Sequence, residues 1–81
     1  MAATTQVTVT RTWSKIADGD CTVQSVSNSD FYEVAVSAAS PTNGASIVLK
    51  LIEPTTFAYK TAVWCRIHTA GKNSAVLNVI K

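Results

Sequence analysis

The sequence predicts an all-β chain, a small antiparallel β-sandwich or barrel of six to seven short strands. Three observations predict it. Tyr32-Glu33-Val34-Ala35-Val36 and Val63-Trp64-Cys65-Arg66-Ile67 alternate side chains with a period of two and lack a helical period. Turn-forming clusters at Asp18-Gly19-Asp20, Asn28-Ser29-Asp30, Ser40-Pro41-Thr42-Asn43-Gly44 and Ala70-Gly71-Lys72-Asn73 punctuate the chain, leaving strands at spacings of roughly 8–12 residues. The opening segment is rich in β-branched residues, which fit a pleated surface.

Thr5 to Arg11 reads as the first strand, with Val7 and Val9 on one face. Trp13 and Ile16 bracket a short second segment, and the following turn leaves Gly19 free to take a positive φ. Cys21 to Ser27 sets Cys21, Val23 and Ser25 against Thr22, Gln24 and Val26, and Asn28-Ser29-Asp30 closes it. In Phe31 to Ala39, Tyr32, Val34, Val36 and Ala38 form the core face, opposite Phe31, Glu33, Ala35 and Ser37.

The strongest break follows at Ser40 to Gly44, where Pro41 removes a donor and Asn43-Gly44 tolerates left-handed backbone. Ala45 to Ile52 then alternates with apolar residues on both sides, which predicts a strand buried on both faces. Phe57-Ala58-Tyr59 reads as a short edge segment. Thr61 to His68 sets Val63, Cys65 and Ile67 against Ala62, Trp64, Arg66 and His68. The loop Ala70 to Asn73 has the length of a hairpin turn, so Ser74 to Ile80 is expected to pair back on that strand.

With 81 residues and no linker, low-complexity tract or internal repeat, residues 1–81 read as a single β domain. A domain of this size buries only about 60–65% of its unfolded surface, and small β chains recover the deficit through disulfides, a metal or association. The chain is 47% hydrophobic and only 15% charged, below the roughly 25–35% typical of a soluble surface. Some apolar surface is therefore expected to meet a partner. Seven Lys plus Arg against five Asp plus Glu give +2, but the basic residues are scattered and form no phosphate-tracking block, so nucleic acid is not the expected partner. The N-terminal segment lacks a secretory pattern and no stretch approaches the roughly 18 apolar residues of a membrane span. Cytosolic synthesis without a membrane partner is the expectation, with Cys21 and Cys65 as reduced, buried thiols.

Residues able to carry chemistry are sparse. Cys65 and His68 are the nearest thiol and imidazole, yet residues three apart on a strand point to opposite faces. Zinc needs three or four N or S ligands, and the chain holds two cysteines and one histidine with no close-spaced pair, so no zinc site is expected within one chain; a histidine-lined site on the three-fold axis of an oligomer is the alternative. Asp18, Asp20 and Asp30 read as solvated turn residues without the ligand series of a calcium loop. Glu33 and Glu53 have no spacing that fixes them as a glycosidase pair. No catalytic residue, metal set or cofactor is assigned, and an enzyme is not expected. Among the aromatics Trp13, Tyr32, Phe57, Tyr59 and Trp64, the alternation puts Trp64 outside the core beside Arg66, and both residue types are enriched at binding hot spots. The interface candidates are Trp64, Arg66, Tyr59 and Trp13.

The ordered pattern Trp13-Ser14-Lys15-Ile16-Ala17-Asp18-Gly19, Tyr32-Glu33-Val34-Ala35-Val36, Ser40-Pro41-Thr42, Val63-Trp64-Cys65-Arg66 and Ala75-Val76-Leu77-Asn78-Val79 resembles small tailed-bacteriophage and prophage virion accessory proteins. That resemblance implies a compact β-fold in a non-enzymatic capsid-decoration or tail component, located in the virion and made in the host cytoplasm. It also implies a homo-oligomer, commonly a symmetric trimer, contacting other virion proteins. The alternative is a carbohydrate-binding module for host surface polysaccharide, with Trp64, Tyr59 and Trp13 as stacking platforms. A single-strand nucleic-acid binder ranks third, because its groove needs more positive charge than this chain supplies.

Overall fold

A computed structural model describes residues 3–26, 30–41 and 46–81. The alternating segments become β1 (Thr4–Thr10), β2 (Ser14–Ala17), β3 (Cys21–Ser25), β4 (Tyr32–Val36), β5 (Ile47–Leu49), β6 (Thr55–Phe57), β7 (Val63–Ile67) and β8 (Ser74–Ile80). They form two four-stranded sheets, β1-β8-β3-β6 and β2-β7-β4-β5, and every neighbouring pair is antiparallel. This order, in which successive strands cross repeatedly between layers, is that of an eight-stranded jelly roll, two interlocked Greek keys. The all-β expectation holds; the strand count is eight because the short segments β2 and β6, of four and three residues, both pair as strands. Among the described residues no helix is long and apolar enough to cross a membrane.

The core lies between the sheets. Val9, Cys21, Val23, Phe57, Leu77 and Val79 from the first sheet meet Ile16, Tyr32, Val34, Val63, Cys65 and Ile67 from the second. The alternation assigned these residues to the inner face correctly, but on β4 it holds only for Tyr32 and Val34: Val36 and Ala38, expected in the core, are exposed where the strand reaches its open end, and Ala35, expected outside, is buried. Each fully buried aliphatic side chain contributes roughly 1.5–3 kcal/mol relative to exposure. A polar contact crosses this layer: the Tyr32 hydroxyl and Ser25 Oγ lie 2.7 Å apart, both residues buried. A register shift between Lys15 and Ala17 lets β2 turn both Ile16 and Ala17 into the core. Cys21 and Cys65 are both buried and unbridged.

The hairpin expected between Thr61–His68 and Ser74–Ile80 does not form. β8 lies between β1 and β3, in the opposite sheet from β7. Alternation states which face of a strand is apolar but not which strand lies beside it, so a crossover loop and a hairpin loop look alike in sequence. This crossover turns at Gly71, φ 77°, and is tied to the start of β4. The His68 N–H donates to the Phe31 carbonyl at 2.8 Å, the Phe31 N–H to Thr69 Oγ1 at 2.7 Å, and Lys72 Nζ to Asp30 Oδ2 at 2.9 Å. Asp30, expected as a solvated turn residue, is therefore buried at 1% exposure. The lysine compensates part of its desolvation, while Oδ1 has no hydrogen-bond partner.

Two further expectations are corrected. Gly19 is not at positive φ; among the described residues Leu51 and Gly71 are. The strand expected over 45–52 shortens to Ile47–Leu49, and it is not buried on both faces: Ile47 is 55% and Val48 48% exposed. Ala45, like Asn28, Ser29 and the Thr42-Asn43-Gly44 part of the predicted break, lies outside the described residues. The strand stops because Leu51 adopts φ 56° as the chain crosses to the other sheet. It is held there by its buried side chain, 4% exposed, and by the Ser25 N–H donating to its carbonyl at 2.6 Å. The next carbonyl, of Ile52, accepts from Gln24 Nε2 at 3.1 Å. The segment Phe57-Ala58-Tyr59 is displaced likewise, the strand being Thr55–Phe57.

A left-handed conformation costs a leucine about 1–2 kcal/mol that glycine escapes. Leu51→Ala should destabilise by about 2–4 kcal/mol through lost burial. Leu51→Gly, which loses the same side chain but relieves the backbone, should be no less stable than Leu51→Ala and up to about 1 kcal/mol more so. Urea denaturation midpoints of the two variants check this ordering.

Candidate interaction surface

The outer face of the second sheet gathers most of the sequence candidates. β7 alternates Trp64 and Arg66 outward, with His68 beyond its end, and the β4 register sets Glu33 directly opposite Arg66. Glu33 is the hub. Its Oε1 accepts from Arg66 Nε at 3.2 Å and lies 3.0 Å from His68 Nδ1. Its Oε2 accepts from Arg66 Nη2 at 3.2 Å and from Ser46 Oγ at 2.9 Å. The other side of the Arg66 guanidinium engages Trp13, 4.6 Å from the ring centroid. The Trp64 Nε1–H donates to the Ser37 carbonyl at 2.9 Å.

Trp64, Arg66 and Trp13 thus lie on one outer face, joined in part by cation–π stacking. Trp64 does point away from the core, but it is half-buried rather than open. Tyr59 stands apart from them. It follows β6 and, with Phe57 on one side and Val34, Val36 and Ile47 on the other, borders a cleft of about 420 Å³. Val34 belongs to one sheet and Phe57 to the other, so this cleft is an opening in the inter-sheet core. The flanking strands β5 and β6 have three residues each, too few to carry the apolar layer to a closed end. Three exposed apolar side chains border it, Val36, Ile47 and Tyr59, at 40%, 55% and 54%. Ser46 joins the two features, lining the cleft while its hydroxyl donates to Glu33.

Burial of Glu33 opposes its ionisation, but hydrogen bonds from Arg66, His68 and Ser46, with the Arg66 charge, outweigh it and hold the carboxyl at about 2. A carboxylate held so acidic is a weak proton acceptor near neutral pH. Cys65 lies inside the sandwich while His68 lies on its outer face, the separation that the strand period predicts. Burial, then the nearby Glu33 charge, pushes the Cys65 thiol up to about 12, leaving negligible thiolate. Burial raises Cys21 as well. Asp18 is ion-paired to Lys15 at 2.8 Å on the surface, and Glu53 is exposed in the β5–β6 connection. Among the described residues no three His, Cys, Asp or Glu side chains are grouped to hold a metal ion.

Sequence reasoning missed Glu33 as the hub and Val36 and Ile47 as exposed. The available signal for Glu33 was an acidic residue alternating outward on one strand and a basic residue alternating outward on another. Only the register makes them partners. Compared with protein-family models, curated proteins and solved structures, the chain matches none.

The depressed Glu33 pKa contributes stability that is fully present above the ordinary carboxyl value of 4.5 and lost as pH falls through about 2. Glu33→Gln should cost about 1–2 kcal/mol near neutral pH, allowing for the partly exposed partners. Its stability should fall less steeply than that of the native chain between pH 4.5 and 2. Chemical denaturation at a series of pH values measures both.

Proposed function

We propose that the protein is a non-enzymatic accessory component of a tailed-phage particle, which self-associates and docks onto another capsid or tail protein. The apolar cleft between β5 and β6 carries this reading. It places Val36, Ile47 and Tyr59 in solvent beside an ion-paired polar rim around Glu33 and Arg66, the arrangement of an apolar centre with a polar surround found at protein interfaces. The low charge of the chain and the resemblance in its strand sequences support the same reading. The jelly-roll order adds an analogy at the level of fold, since viral capsid and lectin domains use it.

The polysaccharide reading is weaker. Stacking on a sugar needs an open ring face, yet Arg66 lies over Trp13 and Trp64 is half-buried with its N–H bonded to the backbone. Of the three platform candidates, Tyr59 alone is more than half exposed.

Particles purified by density gradient from a host culture carrying the gene should contain the chain, as read by mass spectrometry. Ile47→Asp and Tyr59→Ala should each reduce incorporation at least tenfold while changing stability by only about 0.5 kcal/mol, because both side chains are exposed. Absence of the chain from particles, or native incorporation of both variants, overturns the proposal. Binding to a polysaccharide array that Tyr59→Ala abolishes would establish the alternative.

A further inference from the structure

The four sheet edges are treated unequally. β2 is four residues long, carries Lys15 and is interrupted by a register shift. β5 has three residues and is followed by Lys50; β6 has three and is preceded by Pro54. Short length, lysine, proline and bulges are the devices that keep an edge from pairing with another chain. β1 has none of them. It runs seven residues, Thr4-Thr5-Gln6-Val7-Thr8-Val9-Thr10, in unbroken register with β8 and without charge or proline.

The hydrogen-bond parity of β1 is fixed by its first rung. Ala3 and Lys81 exchange both bonds, N–H to carbonyl at 3.0 Å and 3.2 Å. In an antiparallel ladder exchanging pairs alternate with non-exchanging ones, so Thr5, Val7 and Val9 bond to β8. The N–H and C=O groups of Thr4, Gln6, Thr8 and Thr10 point out of the sheet edge, and among the described residues none of the backbone bonds outside the ladder involves them. Their side chains are on the outer face, since Val9 is in the core. That face is uncharged: its rungs include Thr4, Ile80, Thr22 and Thr56, and next to it Gln6, Asn78 and Gln24.

We infer that β1 is the self-association edge, pairing antiparallel with β1 of a second copy about a two-fold axis through Val7. This rests on the proposed self-association and assigns it a surface and a symmetry, two-fold in place of the three-fold that the resemblance implies. The argument is complementarity. With the axis at Val7, Thr4 faces Thr10 of the second copy and Gln6 faces Thr8, so the outward groups of both strands meet in one register and form about eight backbone hydrogen bonds. Threonine pairs across strands are favourable, and no like charges are brought together along the strand. The product is a continuous eight-stranded sheet with isologous symmetry. The half-buried Val7 of each copy meets its equivalent.

Sedimentation velocity of the full chain at micromolar concentration should show a dimer. Amide exchange should show Thr4, Gln6, Thr8 and Thr10 protected in the dimer and fast on dilution. The double variant Q6K/T8K sets like charges opposite each other on the central rungs and should weaken association at least tenfold. Q6K/T8E sets opposite charges on the same rungs and should dimerise. Comparable circular dichroism of the two variants shows that both fold. A strict monomer, dimerisation by both variants alike, or oligomers whose β1 amides exchange freely each overturns the β1 edge. Particle incorporation of Q6K/T8K is scored separately, so a failed edge is distinguished from a failed particle role.

Discussion

The structure depends on one apolar layer held between two sheets whose strands alternate in sequence but not in space. Each strand has a single face to give to that layer. Val63, Cys65 and Ile67 take it on β7, and everything of the opposite parity is pushed to the outside. Trp64, Arg66 and Glu33 owe their shared surface to this exclusion rather than to any local sequence motif. The same parity separates Cys65 from His68 and keeps the thiol in a medium that suppresses its ionisation. A buried hydroxyl contact between Tyr32 and Ser25 adds direction to a layer that is otherwise non-directional.

The outer faces then diverge. The second sheet carries Lys15, Glu33, Arg66 and, just beyond β7, His68, while the outward positions of the first are threonine, glutamine, asparagine and a few aliphatics. Charge in the second sheet is internally neutralised, with Arg66 shared between Glu33 and the Trp13 ring. A neutralised face is rigid, because its side chains have fixed partners, and it is a poor source of long-range attraction. The apolar opening between β5 and β6 has no such internal partners. It is the place where burial of further area offers the larger gain.

Much of this was legible in the sequence, and the limit is physical. A period of two tells which side chains share a face, so the inner sets of β3 and β7, and Tyr32 and Val34 of β4, were readable residue by residue. It carries nothing about neighbours. The connection from Ile67 to Ser74 therefore looked like a hairpin, although Gly71 turns the chain across to the other sheet. Glu33 and Arg66, separated by most of β4 to β7, became partners only through that unreadable register. Ile47 and Val48 looked doubly buried because apolar character on both faces signals burial, whereas here it accompanies a three-residue edge strand beside an open cleft. Leu51 gave no warning of a left-handed backbone, since nothing local favours it; its buried side chain and the Ser25 N–H impose it.

The placement of both sulfurs inside the sandwich has an outcome beyond packing. A thiol that is protonated and shielded from solvent reacts slowly with oxidants and with neighbouring chains, so attack on either sulfur waits on opening of the sandwich. Alkylation of Cys21 or Cys65 then becomes a clock for opening of the sandwich, since each modification records a moment when the two sheets parted.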